Sequence, residues 1–147
     1  MSAQFRIAVG LGCDRGTSLA TLQQALNDAL ALAKAGLADI AAVASIDLKA
    51  DESGLLALAD VHGWRVSFYS PQELASVSVP NPSETVRKYT GSPSVSEAAA
   101  LLAGAHSTQN MRALPMTSLL VEKFKYSGID GRNATVSIAR CDNFSFS

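Results

Sequence analysis

No run of about 18 apolar residues occurs in this chain, so no segment reads as a membrane-spanning helix. The opening MSAQFRIAVG lacks the basic region, long apolar core and cleavage site of a secretion signal, and a cytoplasmic location is expected. Cysteine is scarce. Cys13 and Cys141 lie far apart, and with His62 and His106 they make no ligand spacing for zinc. Two free thiols, no metal and no cofactor are therefore expected. Basic excess is also missing. The formal net charge is -1, and the one short basic cluster, KFK at Lys123 to Lys125, reads as a solvated strand face. Such a chain is not built to neutralise the phosphates of DNA or RNA.

What is present is a globular composition. Hydrophobic residues make up 48% of 147, enough for one domain with a real core. RIAVGLG (Arg6 to Gly12) is a buried-strand pattern. Leu19, Leu22, Leu26, Leu30 and Ala33 then fall on one helical stripe, which Thr17 or Ser18 can start and Gly36 can end. Asp39 to Ile46 reads as a second strand. Asp51 is placed to cap a second helix that stops at Gly63. In WRVSFYS, Trp64, Val66 and Phe68 alternate with Arg65, Ser67 and Tyr69, as a half-buried strand does. Ser70-Pro71-Gln72-Glu73 and Asn81-Pro82-Ser83-Glu84 share a cap-Pro-x-Glu pattern that opens short helices. Ser94 to Glu97 reads as a capping box before a helix ended by Gly104. Residues 105–117 read as a loop. Ser118 to Tyr126 and Ala134 to Arg140 read as strands of an antiparallel hairpin, and residues 140–147 as a polar tail.

Strands and helices alternate at first, which favours parallel neighbours with helices on both faces. The expected fold is α/β, a three-layer α/β/α arrangement. Its sheet should be mixed, mainly parallel and five-stranded, ending in the hairpin. The whole chain, 1–147, is expected to be one domain.

Open α/β sheets bind ligands outside the carboxyl ends of their strands. Three segments should meet there: Gly10 to Thr17, Ser45 to Glu52, and residues between Asn81 and Glu97. Each runs into a helix start, where unpaired N–H groups welcome an anion. Arg15 and Lys49 add full positive charges, and Gly10, Gly12 and Gly16 let backbone come close to a ligand. Candidate binding residues are Gly10, Gly12, Cys13, Arg15, Gly16, Thr17, Ser45, Asp47, Lys49, Ser92, Ser94 and Glu97. Several have plainer readings. Gly10 and Gly12 equally suit a tight turn, Asp47 and Lys49 could pair along an extended segment, and Glu97 could cap a helix. Cys13 near a helix start could be an activated nucleophile, yet small buried cysteines are common. GLGCDRGT has neither the GxGxxG spacing nor the GK[ST] ending of nucleotide-binding loops.

GLGCDRGTS, SIDLKADESGLLALA, VPNPSETVRKYTGSPSVSEAAALLA, LLVEKFKY and ATVSIAR, in this order, resemble the CobE / CbiG C-terminal-domain family of cobalamin biosynthesis. The similarity runs from about Arg6 to Arg140, and with no second large domain in view the free-standing CobE type is expected. Besides candidates already named, Glu52, Gly54, Asn81, Ser83, Gly91, Pro93 and Lys123 match the family's motif positions. The resemblance implies a small-molecule partner, a corrin-ring precursor fringed with acetate and propionate groups. Other corrin-pathway enzymes are further candidate partners. It implies a role as carrier or accessory factor. The alternative is a hydrolase opening a lactone or ester of that precursor, with Glu97, Asp47, Lys49 and Glu52 as candidate catalytic groups. CbiG-type proteins open such a lactone and release acetaldehyde. No nucleic acid and no membrane are expected as partners.

Overall fold

A computed structural model describes residues 5–141. Five strands, β1 (Ile7–Cys13), β2 (Ile40–Ile46), β3 (Val66–Tyr69), β4 (Leu119–Ser127) and β5 (Asn133–Arg140), form one sheet in the order β3-β2-β1-β5-β4. β1, β2 and β3 are parallel, while β5 runs antiparallel to both β1 and β4. Four of the five strands therefore point the same way, and the expected mixed sheet with its closing hairpin is present. Expected and observed elements differ mainly at their ends, where tertiary contacts decide.

Helix α1 (Leu19–Ala33) and helix α2 (Ser53–His62) cover one face. Leu22, Leu26 and Leu30 pack there against Ile7, Val9 and Leu11, which alternate along β1. The other face carries α3 (Pro71–Ala75), α4 (Glu84–Thr90) and α5 (Val95–Ser107). α5 lies on Ala8, Ala44 and Ala139 through Ala98, Ala99 and Leu102. Its small residues bring it so close that a Cβ built on Gly10 would sit 1.9 Å from the Ser96 carbonyl oxygen. Gly10 is thus required by helix-on-strand packing.

Several expected boundaries move. Ser18 caps α1, its hydroxyl accepting the Thr21 N–H, but the helix closes at Lys34 (φ 55°) instead of Gly36. The Gly36 N–H instead meets the Asp39 carboxylate at 2.7 Å. Asp51 does not cap α2; Glu52 holds the cap position, without a side-chain cap bond, and Asp51 pairs with Arg15. Asp47 to Lys49 is a 3-10 turn, not an extended segment, so Asp47 and Lys49 do not alternate as a pair. The Ser70 capping box forms as expected. Ser83 caps α4 in place of Asn81. α5 continues through Gly104 to Ser107, shortening the expected loop. Tyr69 is buried, its hydroxyl 2.8 Å from His106 Nδ1. Most of the polar tail lies outside the described residues.

Candidate functional site

A cleft of about 750 Å³ opens beyond the carboxyl ends of β1 and β2, within the range of small-molecule sites. Gly12, Cys13 and Ile46 supply its base from these strand ends, with Thr135 beside them from β5. Gly12 and Thr135 are cross-strand partners, and a Cβ on Gly12 would lie 2.6 Å from Thr135 Oγ1. Glycine there keeps the floor open. Ser83, Thr85, Val86, Tyr89 and Thr90 form a wall from α4 and its cap, and Val95 and Ser96 a corner from the start of α5. Lys123 and Lys125 line the opposite side.

Four basic side chains, Arg15, Lys49, Lys123 and Lys125, border this cleft, against one acidic side chain, Asp14. Asp14 is already engaged, accepting the Asn133 N–H at 2.8 Å and Asn133 Nδ2 at 3.1 Å. The three lysines have no carboxylate within ion-pair distance among the described residues. Lys123 donates to the Asn81 carbonyl at 2.9 Å. A chain of net charge -1 therefore concentrates positive charge at one hollow, which focuses its attraction for anions.

The full charges at the cleft come from side chains, and fewer helix starts gather there than expected. The expectation that several helix openings share the hollow holds only for α4 and α5. At α1, the Ser18 N–H is taken by Asp130 from the β4–β5 turn at 3.1 Å. In the glycine loop, the Gly16 N–H is taken by Glu52 Oε2 at 3.0 Å. The protein's own carboxylates occupy the places where an external anion was expected.

Of the proposed binding residues, Gly12, Cys13, Arg15 and Lys49 line the cleft, and the others do not. Gly10 is under α5. Gly16 takes a left-handed turn (φ 84°). Thr17 is buried and donates to the Asp14 carbonyl at 2.6 Å, and Ser45 is buried and donates to the Leu11 carbonyl at 2.6 Å. Asp47 is exposed outside the cleft. Ser92 is buried, and Ser94 donates to Glu97.

The four catalytic candidates do not converge. Lys49 alone reaches the cleft. Glu52 is buried and lies 3.3 Å from Arg15 Nη1, whose neighbour contact to Asp51 is 3.0 Å. The hydrogen bond to Asp51 and the Asp51 charge raise the Arg15 pKa, and the hydrogen bond from Arg15 and the Arg15 charge lower that of Asp51. Glu97 is fully buried with both oxygens filled. Oε1 accepts the Asn81 N–H and the Ser94 hydroxyl; Oε2 accepts Asn81 Nδ2 and the Lys123 N–H. The Ser94–Glu97 pair is therefore not an ordinary capping box, and a carboxylate so saturated has no site left for a water. The Cys13 thiol is not activated. Burial pushes its pKa up, Lys49 pulls it down and Glu52 adds to the rise. Among the residues missed from sequence are Lys125 and Tyr89. Both were hidden by ordinary settings, a strand face and a short exposed helix.

The profile described as "Cobalamin synthesis G C-terminus" matches residues 7–139. The chain belongs to this family. It is 47% identical over 96 residues to a protein of Priestia megaterium named cobalt-precorrin-5A hydrolase, a stretch covering 65% of this chain and 26% of that protein. It is 37% identical over 98 residues to Protein CobE of Sinorhizobium sp, covering 65% of this chain and 64% of that one. The matches thus span about a quarter and just under two thirds of these relatives. A crystal structure of CobE, a protein from the cobalamin (vitamin B12) biosynthetic pathway, superposes with a TM-score of 0.76 and 33% identity. That likeness covers 95% of this chain and 93% of the other. The chain is accordingly a member of the CobE/CbiG cobalamin-biosynthesis family, and among its described residues no helix is long and apolar enough to cross a membrane.

Proposed function

We propose that the cleft binds a corrin-ring precursor by its carboxylates, and that the protein serves as a carrier or accessory factor of cobalamin biosynthesis. The supporting observation is the meeting of Arg15, Lys49, Lys123 and Lys125 around a hollow that also offers Ile46, Val86, Tyr89 and Val95. A flat macrocycle with a carboxylate rim needs both kinds of surface. The ammonium groups take the carboxylates, and the apolar side chains take the ring face. Carriage is favoured over chemistry because Glu52 and Glu97 serve internal hydrogen bonds and Asp47 stands apart.

Uroporphyrin, a flat octacarboxylate, is a practical probe. Titration should shift its visible spectrum, and affinity should fall steeply with salt. Lys49→Ala or Lys125→Ala should each weaken binding about ten- to a hundredfold, one charge-assisted contact being about 1.5–3 kcal/mol. Absence of any spectral shift with uroporphyrin and with a corrin polycarboxylate defeats the proposal.

A second reading is favoured by the name of the Priestia megaterium relative, which is 47% identical over the matched stretch. On it, the cleft opens a lactone of the bound precursor, with Lys49 as the one candidate group at hand. Release of acetaldehyde from a cobalt-precorrin substrate, lost in Lys49→Ala, would decide for this reading over carriage.

A further inference from the structure

β4 changes phase in mid-strand. Val121 pairs with Ile138 and Phe124 with Val136, so three residues of β4 oppose two of β5. The extra residue is a β-bulge at Glu122–Lys123. Val121, Phe124 and Tyr126 all pack toward the α1 side, although plain alternation from Val121 would put 123 and 125 there. The bulge sends Lys123 and Lys125 to the opposite face, where the cleft lies. A bulge leaves a backbone N–H without its ladder partner. Here the Lys123 N–H donates to Glu97 Oε2 at 3.0 Å. The same carboxylate accepts the Asn81 N–H and Nδ2, and the Asn81 carbonyl accepts Lys123 Nζ at 2.9 Å.

We infer that Glu97 is a positioning residue. It holds the β4 bulge that turns Lys123 and Lys125 into the cleft, and fixes the Asn81 carbonyl that aims the Lys123 ammonium. This rests on the cleft being the anion-binding site. It assigns the most buried carboxylate of the motif to the placement of cations and not to proton transfer.

Glu97→Met keeps the side-chain length and accepts nothing; Glu97→Gln keeps one acceptor, which can face Lys123 while its amide group turns to Ser94. Glu97→Met should weaken uroporphyrin binding about tenfold, and Glu97→Gln should recover most of the loss. In a Lys123→Ala/Lys125→Ala background, neither change should alter affinity by more than about twofold, because coupled residues are non-additive. Equal losses in both backgrounds, or equal effects of Met and Gln, overturn the inference. If Glu97→Met does not fold, Asn81→Leu, which cuts one anchor of the same carboxylate, should give a smaller loss that also vanishes in the double-lysine background. Retention of that loss overturns the inference. The unliganded protein supplies a separate arm. In the wild type, amide hydrogen exchange at Lys123 should be slow and Lys125 should show nuclear Overhauser contacts to Thr135; both should be lost in Glu97→Met, or weakened in Asn81→Leu. Persistence of both overturns the inference, whereas failure of wild type to bind uroporphyrin with this arm intact counts against the binding reading alone.

Discussion

Gly10→Ala tests how closely α5 is seated on the sheet. The added Cβ would lie 1.9 Å from the Ser96 carbonyl oxygen and 2.7 Å from the Ala100 nitrogen. Both are backbone atoms, so no side chain can rotate away. Reaching an ordinary separation of about 3.5 Å requires α5 to retreat by about 1.6 Å. Overpacking costs about 1–3 kcal/mol, and a retreat of this size forfeits much of the dispersion along the seam as well. We expect a loss near the top of that range, about 3 kcal/mol, or about 6–12 °C in melting temperature for a domain of this size. Urea denaturation measures it, provided the slope with denaturant stays constant. Because Glu97 sits on the first turn of α5, lysine placement should suffer too. A Gly10→Ala protein as stable as wild type would refute the close seating and the packing argument built on it.

Cys13 should alkylate with iodoacetamide more slowly at pH 8 than an exposed thiol, because its raised pKa leaves less thiolate at that pH. Lys49→Met should slow it further, since Lys49 pulls that pKa down; faster alkylation contradicts the assigned causes. Asp130 has a lowered pKa because the Arg132 and Ser18 amides donate to it. A lowered folded value gives stability that is complete above the ordinary carboxylate range and lost as pH falls through the folded value. Asp130→Asn should therefore reduce thermal stability at pH 7 and flatten its decline in acid; an unchanged acid limb would show that the contact contributes nothing.

The layers of this fold were legible because their signals are local. The Leu22–Leu26–Leu30 stripe and the alternation of Ile7, Val9 and Leu11 need only a helical or strand period to be read. The site was less legible because its geometry comes from contacts far apart in sequence. KFK looks like a solvated face until the bulge reverses the phase of β4. Glu52 and Glu97 look like spare carboxylates until Gly16, Asn81 and Lys123 are found donating to them. Gly10 looks like part of a ligand loop until α5 is laid over it. In each case the deciding partner lies far away in sequence and is supplied by folding.

α4 has no buried residue, and its exposed Tyr89 lines the cleft wall. α5 beside it is buried from Val95 to Ala105. On the binding reading proposed above, α5 would act as a fixed datum for the charges around the cleft, and α4, held by fewer buried contacts, would be the wall whose position costs less to adjust to a guest's outline.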